Sequence, residues 1–212
     1  KSPLLENAMF SSLFSKANQQ WKTEPLWIPD REAQRWDRTH PLEQIQWTII
    51  KNKECNSFYV NVVKAIKWWY KEKYPDLKQP KSYPLEHFIG DCCPDGINSV
   101  AQGVVETLEE VARSYPIKPF LSDRGVPEHD VFARITDEEY GEFYQAVLKY
   151  VDLARKAYDE ENVNTSAKAW RDLFGDKFPS PPDSSNNNGS QNNGFTPRSE
   201  PTKAVPTGRF AK

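Results

Sequence analysis

The sequence predicts a mainly α-helical chain. Apolar residues recur at three- and four-residue spacing in several separate segments. Prolines, capping residues and a glycine bound those segments. The one stretch that reads as a loop or short strand, residues 21–41, is broken by three prolines.

Taken in order, residues 1–20 are weakly helical, with Phe10, Leu13 and Phe14 in register. Residues 1–40 together read as an irregular N-terminal segment, the remnant of a junction with something preceding it. A helix is expected after Pro41, with Leu42, Ile45 and Ile49 on one side. The strongest signal is SFYVNVVKAIKWWYKEKY, where Tyr59, Val62, Val63, Ile66, Trp69 and Tyr70 form one stripe. Lys64, Lys67 and Lys71 fall on a different face, and Pro75 and Pro80 end the helix. A further helix is expected over about 84–91: Pro84 disfavours the α conformation for Tyr83 and suits the first helical position, which makes Tyr83 the N-cap. The wide stripe Ile97, Val100, Ala101, Val104, Val105, Leu108 and Val111 predicts a central helix. A long polar connection, 115–135, precedes the capping box Thr136–Glu139. That box opens a helix with Tyr140, Phe143, Tyr144, Val147, Leu148 and Val151 facing inward. A last helix carries Ala169, Trp170, Leu173 and Phe174, with Gly175 as a left-handed C-cap. Residues 41–178 thus form a helical domain. From 179 onward, PSPPDSSNNNGSQNNG has too little apolar surface to order itself, and the tail then recovers Phe195, Arg198, Arg209 and Phe210.

Composition narrows the function. With 212 residues the chain is long enough for a proper core, and a formal net charge of −2 makes any basic site a local one. No run of about 18 apolar residues suggests a membrane span. Cys55, Cys92 and Cys93 are an odd set without zinc-knuckle spacing, which fits a reducing cytoplasm. The chain begins at Lys1 and its only methionine is Met9, which points to a trimmed chain or the back part of a longer gene product.

Two constellations invite a ligand. Lys81 and Ser82 stand at the mouth of a helix, where backbone N–H groups attract anions. Lys67, beside Trp68 and Trp69, is suited to neutralise a phosphate while the tryptophans hold its stem. An ordinary solvated loop and a solvated lysine face explain the same residues equally simply. The short proline turn between the two helices brings Lys67 and Ser82 to one edge. In the connection, Asp123, Glu128, His129 and Asp130 are candidates to read a base edge or face a ligand. Asp37 to His40 and Glu128 to Asp130 lack the partners of a metal site.

Five segments, in order, resemble the cGAS/DncV-like nucleotidyltransferases, relatives of 2′-5′-oligoadenylate synthetase. WIPDREAQRWDRTHP is similar to the family's segment after the catalytic sheet, VVKAIKWW to its nucleotide-binding helix, and PKSYPLEHFI to its K-S-Y-x-L-E helix. LSDRGVPEHDV is similar to its DP-x-x-P-x-N-N loop and AWRDLFGDKFP to its terminal W-x-x-x-FG-x-x-FP, so the likeness spans about residues 25–179. It implies the helical C-terminal subdomain of a polymerase-β-like nucleotidyltransferase, with little or none of the catalytic sheet. It implies nucleotide-binding roles for Lys67 and Ser82, with Lys64 and Asp123 beside them, NTP substrates with ATP among them, and two Mg²⁺ ions. The product it implies is a cyclic oligonucleotide messenger of antiphage defence. It also implies that the tail end, Phe210-Ala211 with one further residue, Lys212, is gripped by a ubiquitin-conjugation-like enzyme.

The family's G-S turn and D-x-D carboxylates are not matched: the only Gly-Ser is Gly189-Ser190, in the tail. The metal-binding carboxylates are therefore expected outside this chain, in the protein's own N-terminal catalytic core. The chain alone is expected to be inactive, and to show an apolar face where that core would pack. The alternative reading is a non-catalytic nucleotide- or partner-binding helical module, and a third is a helical scaffold.

Overall fold

The strongest apolar stripe of the sequence becomes the helix on which the others pack. The computed structural model describes residues 24–31 and 34–181. The expectations for residues 1–20 and for the tail, Phe210 and Ala211 included, lie outside the described residues.

Residues 26–30 and 35–39 take the strand alternative. Strands β1 (Leu26–Asp30) and β2 (Arg35–Thr39) pair antiparallel, with Leu26 opposite Thr39 and Asp30 opposite Arg35. Helix α1 (Pro41–Glu54) follows directly, and its N-cap His40 accepts through Nδ1 from the Glu43 amide at 3.3 Å. Then come α2 (Tyr59–Lys73), α3 (Ser82–Cys92), α4 (Val100–Ser114), α5 (Asp137–Asp159) and α6 (Val163–Phe174).

All six stripe residues of α2 are buried. Helix α2 packs against α1, α3, α4 and α6, while α4 packs against α2, α3 and α5. The centre is therefore shared between α2 and α4 rather than held by α4 alone. Trp69 is 1% exposed and meets Tyr74 and Tyr150 edge-on. Phe88 of α3 stands amid Tyr115, Phe132, Tyr140 and Phe143, with ring centroids at 5.0, 5.1, 6.3 and 6.2 Å. Edge-to-face pairs of this kind add to simple burial.

Three details differ from expectation. Helix α3 begins at Ser82, with Lys81 as N-cap, because the Leu85 amide already bonds to the Lys81 carbonyl at 3.0 Å. Pro84 does not forbid this: the first N–H groups of a helix have no partner to lose. Tyr83 therefore lies inside the helix rather than capping it. Leu148 is 39% exposed, since the inward face of α5 continues through Ala146, Ala154 and Ala157 instead. Gly175 has φ 86° and ψ 177°, a conformation essentially confined to glycine, but not the left-handed helical one. The capping box is present as expected, with both reciprocal bonds between Thr136 and Glu139.

The three cysteines are free and buried, and burial pushes the Cys55 thiol up to about 12. Apolar side chains remain exposed on β1, β2 and one side of α1: Trp27, Trp36, Ile45 and Ile49 are each more than half exposed. Among the described residues no helix is long and apolar enough to cross a membrane.

Candidate functional site

Lys67 and Asp123 each touch a residue of the first turns of α3, whereas Lys64 does not. No side chain caps the first of these turns, Pro84 brings no N–H to it, and Ser82 is exposed at its start, which leaves the Ser82 and Tyr83 amides without a side-chain cap. Lys67 crosses from α2 and its Nζ lies 3.3 Å from Glu86 Oε2. Glu86 stands four residues beyond Ser82, so the two share one face of α3, about one turn apart. Lys67 thus reaches the face of α3 that carries Ser82.

On the flank of the same turn, the Tyr83 hydroxyl donates to Asp123 Oδ2 at 2.6 Å. Burial, and then that bond to a carboxylate, raise the Tyr83 phenol well above its ordinary range. Asp123 Oδ1 accepts from the Gly125 and Val126 amides at 2.8 and 3.0 Å. Its carboxylate is therefore engaged at both oxygens by this chain, and Asp123 acts on the site by holding Tyr83 and the loop. Asp130 is similar: its Oδ1 accepts from the Leu121 and Phe132 amides, each at 2.9 Å. Glu128 accepts from Arg38 at 2.7 Å. Of the four loop residues singled out from sequence, His129 alone offers its side chain to the adjoining cleft without such a bond among the described residues.

That cleft, about 530 Å³, lies between the β1–β2 hairpin and the 121–131 loop and is lined by Thr39, Tyr83, Asp123 and His129 among others. The Asp30–Arg134 and Arg38–Glu128 ion pairs join its two walls. Gly125 permits the closure, because a Cβ there would lie 2.4 Å from His40 Cβ and 2.9 Å from the His40 carbonyl oxygen. Lys64 and Lys67 line a second groove of about 600 Å³, with Trp68, Lys71, Glu72 and Lys177. The structure thus brings Lys67 toward Ser82 and Asp123 toward Tyr83, and it separates the lysines from Asp123 into neighbouring hollows. Trp69 does not hold the Lys67 stem, since it lies in the core; Trp68 shares that surface.

Sequence reasoning missed Arg124. Its guanidinium lies 3.8 Å over the Trp47 ring, pairs with Asp91 and donates to the His87 carbonyl at 3.4 Å. The only sequence signal was an arginine where the resembled loop carries another residue. His87 beneath it is fully buried; its Nε2 bonds the Ser122 carbonyl at 2.9 Å, whereas Nδ1 has no partner. Burial, and then the nearby Arg124 charge, lower its pKa below the ordinary 6.5. A depressed histidine keeps the folded state from binding a proton that the unfolded chain accepts. Its contribution is complete above about pH 6.5 and is lost as pH falls below that value. Urea titrations from pH 7 to 5 should therefore show stability falling by up to about 1.4 kcal/mol per pH unit from this group. The slope should flatten in His87→Gln, whose amide can keep the Ser122 bond; an unchanged slope removes His87 as its source.

Among the described residues no group of three or more His, Cys, Asp or Glu is placed to hold a metal ion. The side chains around α3 therefore do not fit a two-ion centre, which needs converging carboxylates.

No protein-family model matches the chain. It is 46% identical over 199 residues to the cyclic AMP-AMP-GMP synthase of Enterobacter hormaechei subsp. hoffmannii, covering 91% of this chain and 51% of that protein. It is 43% identical to a probable cyclic AMP-AMP-GMP nucleotide synthase of Salmonella paratyphi B over the same shares, and 32% identical to a cyclic AMP-AMP-AMP synthase of an Acinetobacter species over 72% of this chain and 46% of that one. The chain thus spans about half the length of the curated relatives it matches. In fold it is similar to E. coli MS115-1 CdnC with ATP, with a TM-score of 0.59 at 14% identity over 74% of this chain and 56% of that one. It is also similar to the same protein in complex with HORMA-deltaN, with a TM-score of 0.56 at 15% identity over 69% and 54%. With synthase relatives matched along nine-tenths of its length, and a helical fold carrying the landmarks in order, the chain belongs to the cGAS/DncV-like nucleotidyltransferases.

Proposed function

We propose that this chain is the helical part of a nucleotidyltransferase that joins NTPs, ATP among them, into a cyclic oligonucleotide messenger of antiphage defence. The observation that supports this most directly is Lys67 reaching the Ser82 face of α3 at an uncapped helix start. An ammonium, a hydroxyl and uncapped backbone amides are the groups that hold a polyphosphate. Lys64 adds charge one helical turn away. Asp123 keeps Tyr83 fixed at the flank of the turn.

Mg²⁺, when bound, stabilises the charge that develops on the transferring phosphoryl group. In this reading the carboxylates that hold it lie beyond the described residues, in an N-terminal catalytic core that covers the exposed apolar surface of the hairpin and α1. This helical part positions the polyphosphate and makes no product alone. A cytoplasmic enzyme with buried reduced cysteines fits the same reading, as does capture of Phe210 and Ala211 by a ubiquitin-conjugation-like partner. The HORMA-deltaN complex of the related fold gives precedent for a protein partner.

Calorimetry with ATP tests the site. Lys67→Ala should weaken binding by about tenfold or more, the loss of one charge-assisted contact, and Ser82→Ala by less. Wild-type affinity in both variants removes these residues from the site and leaves the reading without its anchor.

A further inference from the structure

The buried cysteines take no part in the site around α3's first turn, yet two of them meet. Cys55 is the C-cap of α1 and Cys93 the C-cap of α3. Both thiols reach one acceptor, the Pro94 carbonyl, at 3.5 Å from Cys55 Sγ and 3.8 Å from Cys93 Sγ. They are also hydrogen-bonding neighbours of each other. The chain around them is tied at several points. The Gly96 amide donates to the Glu54 carbonyl at 2.9 Å, Asn56 Nδ2 to the Ile97 carbonyl at 3.1 Å, and Lys51 Nζ to Asp95 Oδ1 at 2.6 Å. The sulfurs are therefore held together by the segments that carry them, and not by their own weak hydrogen bonds. A hollow of about 620 Å³, lined by Asp91, Cys92, Cys93 and Pro94 among others, opens on one of the two. It gives a small oxidant a way to Cys93, whereas Cys55 is fully buried.

We infer that Cys55 and Cys93 are a disulfide-forming pair, closed by hydrogen peroxide and reopened by small thiols. Cys93 reacts first, because it lines the hollow. Its sulfur takes one peroxide oxygen, the O–O bond breaks, and the hydroxide released takes up the thiol proton as water. A sulfenic acid remains on Cys93. Cys55 Sγ then attacks the Cys93 sulfur. The S–S bond forms, the S–O bond breaks, and the second hydroxide leaves as water with the Cys55 proton. Two thiols thus lose two electrons in all, and one peroxide becomes two waters. Burial keeps both thiols protonated and slows the first step, so the pair answers sustained exposure. A resolving thiol already in contact traps the sulfenic acid before it oxidises further. The bond matters because of where it falls. Helix α1 is the one helix of the six without a buried residue. A bridge at its C-terminus fastens α1 to α3 and closes a loop of about 40 residues, which restricts the unfolded chain. None of this rests on the proposed function.

The test is mass spectrometry of the full chain, reduced, held in millimolar hydrogen peroxide, then denatured and alkylated. The reduced chain takes three alkyl groups, one for each free cysteine. After peroxide it should take a single one, on Cys92, and dithiothreitol should restore the others. Cys92→Ala should close the bridge as wild type does, and Cys93→Ala should not. Oxidation should raise the urea midpoint by about 1 M and slow amide exchange in the last turn of α1 about tenfold or more. Wild type that still takes three alkyl groups, or that gains sulfinic and sulfonic acids without a bridge, would overturn the inference. So would a bridge that Cys93→Ala forms through Cys92. A bridge that leaves exchange along α1 unchanged would overturn the fastening of α1. The wild-type masses decide the main point, so a variant that fails to fold does not shield it.

Discussion

Replacing Phe88 with alanine lowers the unfolding free energy by about 3–5 kcal/mol. Phe88 is 1% exposed and touches four other rings, drawn from the connection after α4, the 121–135 loop and α5. Truncation removes the transferred apolar surface and leaves a hole that rigid aromatic neighbours close poorly. Total stabilities of about 5–15 kcal/mol make this a large share of the whole. Urea unfolding followed by tryptophan fluorescence should show the midpoint falling with the slope preserved. A midpoint within error of wild type would mean that this aromatic cluster does not hold the bundle together. Phe88→Leu, which keeps most of the volume, should recover more than half of the loss.

Replacing Arg124 with alanine costs about 2–3 kcal/mol, less than Phe88 because its ion pair keeps some contact with water. One side chain here does three things. It covers the face of Trp47, neutralises Asp91 and ties the 121–131 loop to the His87 carbonyl. Its own side chain is 14% exposed and that of Asp91 31%, so removing the cation strands a half-buried carboxylate. Arg124→Lys should restore only part of the loss, because an ammonium cannot lie flat on the indole and reach two acceptors together. The double variant Arg124→Ala with Asp91→Asn should be less damaging than the sum of the singles. Strict additivity of the two measured free energies would show that the pair does not couple. Because the same loop carries Asp123, which holds Tyr83, the alanine variant should also loosen the flank of α3's first turn. Faster amide exchange at Gly125 and Val126 would report that.

Much of the fold was legible in local pattern. The six-residue stripe of α2, the capping box of α5 and the helix after Pro41 rest on interactions within a few residues, and these the sequence states directly. Lys67 and Ser82 were legible as candidates for the same reason: a short connection leaves neighbouring helices little freedom to separate. Boundaries at prolines were less legible. Whether Pro84 starts α3 or sits in its first turn depends on what the preceding backbone bonds to, and here Leu85 reaches Lys81.

The sequence by itself determined a mainly helical chain with its stripes, caps and punctuation, because helical periodicity and capping are short-range properties of the backbone. Only the tertiary structure decided which polar side chains were already committed. Asp123 and Asp130 read as open carboxylates until the loop folded back and supplied amides to both. Arg124 carried no role in the sequence until α1 and α3 brought Trp47 and Asp91 to it. Lys177 joined α2 from more than 100 residues away. Such pairings are fixed by packing between distant segments, and no local pattern of the chain records them.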